Sequence, residues 1–144
     1  MTQGHAMQRW GLWGSLGFGG VVTAACLAWA GPVALAPNFS PDPMVLSGNG
    51  GGSVDTGNCG FTNRQPDQRL QVTGDLPYVR ITARGGSDLT LLVDGPDGRF
   101  CASSLDARGP QMSGYWRAGL YNLYIGTRVR GASSAYRLEI TQQR

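Results

Sequence analysis

Beyond residue 58 the chain alternates apolar and polar side chains with a period of two, and this limits what it can fold into. Leu70 and Val72 flank Gln71. Val79, Ile81 and Ala83 alternate with Arg80 and Thr82, and Leu89, Leu91 and Val93 with Thr90 and Leu92. Tyr121, Leu123 and Ile125 alternate with Asn122 and Tyr124, and Tyr136, Leu138 and Ile140 with Arg137 and Glu139. On a pleated strand such a pattern sends one set of side chains inward and the other outward. Turn formers separate the runs: Gly74-Asp75, Gly85-Gly86-Ser87-Asp88, Gly95-Pro96-Asp97-Gly98, Arg108-Gly109-Pro110 and Gly131-Ala132-Ser133. Shorter strands are expected over 99–103 and 111–116. No stretch after residue 58 keeps a helical period for more than two turns. The expected fold class is all-β: a small antiparallel sandwich or barrel over residues 59–144.

The residues before it read differently. Between Arg9 and Asp42 there is no charged side chain, and Trp10 to Ala30 is apolar and small. A short polar head, an apolar body and Ala28-Trp29-Ala30 or Ala34-Leu35-Ala36 fit a secretory signal over residues 1–30. Cleavage after Ala30 is preferred, since a cut after Ala36 would set Pro37 beside the scissile bond. The alternative is an uncleaved anchor, with membrane contact only through residues 10–36; the glycines between Gly11 and Gly20 and Pro32 weigh against a helix there. Thr23-Ala24-Ala25-Cys26 resembles a lipobox, with Thr where Leu or Val is usual. Residues 31–58 carry Pro32, Pro37, Pro41, Pro43 and Gly48-Asn49-Gly50-Gly51-Gly52-Ser53, and are expected to be a flexible linker. On this reading the protein is secreted or periplasmic.

Export bears on the cysteines. Cys59 and Cys101 lie in the exported part, where two thiols favour a disulfide; the plainer alternative is two separate buried thiols. A bridge would close a loop of about 43 residues and contribute on the order of 4 kcal/mol in the chain-entropy model. That suits an 86-residue domain near the lower size at which one core suffices.

Composition excludes several chemistries. All twelve Lys and Arg positions are arginine, and the only histidine is His5. Without lysine there is no P-loop lysine and no Schiff base. Without a histidine in the body of the chain there is no Ser-His or Cys-His pair and no ordinary zinc site. The arginines are dispersed and the net charge is only +3, so nucleic acid is not an expected partner.

Ser87-Asp88-Leu89-Thr90-Leu91-Leu92-Val93-Asp94-Gly95-Pro96-Asp97-Gly98 resembles the strand-turn of bacterial pre-peptidase C-terminal domains, written DLxLxVxxPDG. Gly119-Leu120-Tyr121-Asn122-Leu123-Tyr124-Ile125, followed by Tyr136-Arg137-Leu138-Glu139-Ile140, is similar to that family's closing pair of strands. The resemblance spans roughly residues 66 to 141, in an exported stand-alone form. It implies a jelly-roll-like sandwich that is not itself catalytic and that aids secretion or binds a polymer. Cys59-Gly60-Phe61 and Cys101 lie outside the general pattern, and no peptidase is attached.

Candidate site residues follow. Asp88, Asp94 and Asp97 surround one loop and offer carboxylates for calcium, against the plainer reading of turn chemistry; no other cofactor is expected. The same carboxylates are the only basis for a glycosidase pair. Trp116, Tyr78 and Tyr124, with Arg80 and Arg117, are the candidate binding residues if they project outward, because rings and guanidinium forks recognise polysaccharide or extended peptide. The plainer reading puts Trp116 and one tyrosine in the core. Arg128 and Arg130 flank Val129 as edge charges that discourage strand pairing. Gly119 two residues before Tyr121 resembles a tyrosine corner. The expected function is a non-catalytic exported module that binds or scaffolds at the envelope, its partner an envelope protein or extracellular polymer. The alternatives are a structural subunit of an envelope complex and a carboxylate-only hydrolase.

Overall fold

The computed structural model describes residues 31–103 and 108–144. The signal, anchor and lipobox readings of residues 1–30 lie outside them. In chain order the strands are β1 (Val33–Leu35), β2 (Met44–Gly51), β3 (Val54–Asp55), β4 (Phe61–Thr62), β5 (Gln68–Val72), β6 (Leu76–Gly85), β7 (Leu89–Gly95), β8 (Gly98–Ser103), β9 (Gln111–Trp116), β10 (Gly119–Thr127) and β11 (Ser133–Thr141). Every strand expected from the alternation is present, and among the described residues there is no helix.

Two sheets form. In the first, β10 is central: β5 and β4 lie along it, β7 pairs antiparallel with it, β8 pairs with β7, and β1 adds parallel to β5. The second runs β2-β11-β6-β9. The inward set predicted from period two is the core: Leu70, Val79, Ile81, Leu91, Leu123, Ile125, Leu138 and Ile140 have almost no exposed surface. Sheets facing one another across such side chains make a β-sandwich.

The expected linker over 31–58 is corrected. β1, β2 and β3 all fall inside it, and β2 pairs with β11 over eight residues, from Met44↔Ile140 to Gly51↔Ser133. Gly48, Gly50 and Gly51, read as breakers, are strand residues that admit close neighbours. A Cβ on Gly48 would lie 2.7 Å from the Tyr136 hydroxyl oxygen, and one on Gly50 would meet the Ile125 carbonyl. Leu35 of β1 is completely buried and Phe39 nearly so. Residues 33–35, counted within the 10–36 span of the anchor alternative, are therefore strand of the sandwich. No helix among the described residues is long and apolar enough to cross a membrane.

The β7–β8 hairpin turns where expected, with Gly98 at φ +112°, a backbone region costly for other residues. The Tyr121 hydroxyl donates to the Arg117 carbonyl at 2.7 Å, which is the expected tyrosine corner. Its ring packs on Trp116 with centroids 4.4 Å apart. Tyr121→Phe is expected to lower stability by about 1 kcal/mol, the net worth of one such bond. Denaturant unfolding with an unchanged m-value would measure it.

β7 is buried on both faces: Thr90 and Leu92, on its outer side, are covered. The cover is the segment joining β3 to β4. Cys59 is bonded to Cys101 of β8, with Cα atoms 5.7 Å apart, so the expected disulfide is present. Beside it the Thr90 hydroxyl donates to the Cys59 carbonyl at 2.7 Å, and Arg99 donates to the Thr56 carbonyl at 2.8 Å.

Candidate binding cleft at the open edge

β8 and β9 are edge strands, one in each sheet, and between them the sandwich opens into a cleft of about 140 Å³. The alternation of β9 turns Met112, Gly114 and Trp116 toward the core and leaves Ser113 and Tyr115 outside. Trp116 is 5% exposed and forms the floor with Tyr121. Phe100 of β8 and Tyr115 of β9 also line the cleft, and they are 51% and 56% exposed. Large rings in water at a concave edge are unusual, because burial of such a side chain is worth about 1.5–3 kcal/mol.

The rim is held by charge. The Tyr115 hydroxyl donates to Asp75 Oδ2 at 2.8 Å, and the Ala118 N–H donates to Asp75 Oδ1 at 2.9 Å. Arg117 pairs with Asp97 at 2.7 Å. The Ala118 N–H first, and then the Tyr115 hydroxyl, hold the Asp75 carboxyl below its ordinary 3.8. The bond to Asp75 in turn pushes the Tyr115 hydroxyl above its ordinary 10.0. A depressed carboxyl stabilises the fold above its unfolded pKa and ceases to do so as pH falls through the folded value; this rim therefore loosens only in acid, below 3.8. Spectrophotometric titration is expected to show Tyr115, Tyr121 and Tyr136 ionising later than the ordinary range, and Asp75→Asn to bring Tyr115 back toward it.

The candidate residues do not form one line. Trp116 is buried, as the plainer reading has it: it packs on Tyr121, and it reaches the surface only as the cleft floor. Tyr78 and Arg80 lie on β6 in the second sheet, with the Arg144 guanidinium 4.8 Å over the Tyr78 ring. Tyr124 lies on the outer face of the first sheet, opposite Leu92, in a groove with Asp94 and Arg99 under the β3–β4 segment. Arg117 sits at the cleft rim, engaged with Asp97.

The three aspartates do not share a loop. Asp88 precedes β7, and Asp94 and Asp97 stand at its far end, roughly 20 Å away at the rise of a strand. Among the described residues no group of three His, Cys, Asp or Glu side chains comes together as a metal cluster. A glycosidase also needs one carboxyl held protonated. Among the described residues the carboxyl that burial raises is that of Asp67, and it accepts from the Ile125 N–H at 2.8 Å. Phe100 and Tyr115 were missed by sequence reasoning. Tyr115 stands beside Gly114 and Phe100 within a short strand, and period two assigns a face but does not reveal that the face ends in open water.

Comparison with known proteins agrees with this fold. No model of a known protein family matches the chain. An uncharacterized protein of Synechococcus elongatus, Synpcc7942_2126, is 33% identical over 139 residues, which is 92% of this chain and 98% of that one. The chain belongs to the family of that protein. Among solved structures, family membership is joined by a likeness of fold. The pre-peptidase C-terminal domain of collagenase from Bacillus anthracis superposes with a TM-score of 0.50 at 12% identity, over 77% of this chain and 95% of that one. The fold of this Synechococcus-family chain is thus the pre-peptidase C-terminal sandwich that its strand motifs resemble.

Proposed function

We propose that the domain is a non-catalytic exported module that binds polysaccharide at the cell envelope. The observation that carries this reading is the cleft between β8 and β9, where Phe100 and Tyr115 flank a Trp116 floor. Flat rings exposed beside polar groups stack on sugar faces while the rim supplies hydrogen bonds. Export is supported by the Cys59–Cys101 disulfide, which persists in oxidising compartments. The likeness to a domain of a collagenase supports a module that accompanies other activities, although fold alone assigns no ligand.

Affinity electrophoresis through gels containing neutral or acidic polysaccharides tests the reading. The protein is expected to be retarded, and Phe100→Ala and Tyr115→Ala are each expected to weaken binding about 3- to 10-fold, as for the loss of one stacked ring. Migration unaffected by every polysaccharide would remove it.

A further inference from the structure

The second sheet presents its outer face to solvent, and the registers place its side chains in rows. Arg84 lies opposite Arg137, Thr82 opposite Glu139 and Arg80 opposite Thr141. Gln111 of β9 extends the middle row. The groove they form has a volume of about 220 Å³. Its charge is one-sided. Glu139 serves two arginines at once, Arg84 at 3.1 Å and Arg137 at 3.6 Å, and the Arg80 guanidinium has no ion pair or hydrogen bond among the described residues. Like charges placed directly across a sheet cost stability; Glu139 offsets that cost for Arg84 and Arg137, and Arg80 has no such counter-charge. Half-buried Arg80 stands over Thr82 and Thr141, which are 6% and 8% exposed.

We propose that this face binds the carboxylate or sulfate groups of an acidic polysaccharide, with Arg80 as the principal anchor. The inference rests on the polysaccharide reading above and names the class. A guanidinium fork matches a planar or tetrahedral oxyanion, and the neighbouring hydroxyls and amides suit the sugar hydroxyls beside it. Arg80 is on β6, which is paired on both edges, so the backbone here offers nothing to an extended peptide. A lipid surface would need large apolar side chains to insert, and the groove and its rows are polar or charged apart from Pro43 and Val45.

The test uses the full-length protein with polygalacturonate, dextran sulfate and neutral dextran as probes. Polyglutamate and phosphatidylglycerol vesicles represent the other polyanions. The expected result is preference for the acidic polysaccharides, weakened by salt. Arg80→Gln should lose tenfold or more, and Arg80→Lys should lose less. Arg69→Gln, an equal charge loss on the other sheet, should stay within twofold. Glu139→Gln should tighten binding severalfold, a gain that damage to the fold cannot produce. Equal binding of wild type and Arg80→Gln, or tighter binding to polyglutamate or vesicles than to polygalacturonate, overturns the inference. Dextran binding that is sensitive to Tyr115→Ala, with no acidic preference, overturns it while leaving the polysaccharide reading intact. Binding to none of the polysaccharides overturns both.

Discussion

A chain shortened to begin at Cys59 is expected to lose its cooperative unfolding transition, whereas one beginning at Gly31 keeps it. The shorter chain lacks Leu35 and Phe39, buried side chains worth about 1.5–3 kcal/mol each. It also lacks β2, leaving β11 as a new sheet edge along all eight paired residues and removing Met44 and Leu46 from against the core. Small domains have about 5–15 kcal/mol in total, so the loss is of the order of the whole. The measurement is thermal unfolding by circular dichroism together with dispersion of the amide spectrum. A sharp transition in the Cys59 fragment at the midpoint of the longer chain would show that the first strands are ornamental.

Removing the disulfide is expected to have the next largest effect. Cys59 and Cys101 are 42 residues apart in sequence, and opening a loop of that size costs roughly 4 kcal/mol in the chain-entropy model. Cys59→Ser with Cys101→Ser should lower the melting temperature by more than 10 °C, at about 4–8 °C per kcal/mol for a domain of this size. Reduction of the wild type should reproduce the shift. The loss should begin locally, since the bridge fastens the β3–β4 segment over Thr90 and Leu92. Hydrogen exchange at β7 should rise before exchange at β11. Uniform exchange across both sheets, or an unchanged melting temperature, would contradict this account.

Much of the fold was legible in the chain because the inward residues repeat at a fixed period. Val79, Ile81 and Ala83 could only share a face, and Tyr121 two residues after Gly119 marked its own corner. β2 was not legible. Its ladder is made by backbone atoms, and its glycines are there because Tyr136 and Ile125 occupy the space a side chain would take. The candidate site was legible only in fragments. Period two tells which residues of one strand share a face, but it does not say which strands become neighbours. Hence Tyr78 and Tyr124 looked alike in sequence and lie in different sheets, and Asp88 and Asp94 looked like one loop while a full strand separates them. Arg80 was grouped in sequence with Trp116, Tyr78, Tyr124 and Arg117; its setting among Thr82, Thr141 and Gln111 depends on a register that only pairing reveals.

The parallel strand β1 has a practical consequence for deployment. It starts at Val33, so Gly31 and Pro32 alone stand between residue 30 and the folded body, a leash of under about 10 Å at full stretch. Processing after Ala36 would carry away β1 with its buried Leu35 and leave a gap in the core, whereas processing after Ala30 would leave β1 in place. Were residues 10–30 kept as an anchor, the sandwich would stand flush on its support, sampling only the polymer that drifts within its own width.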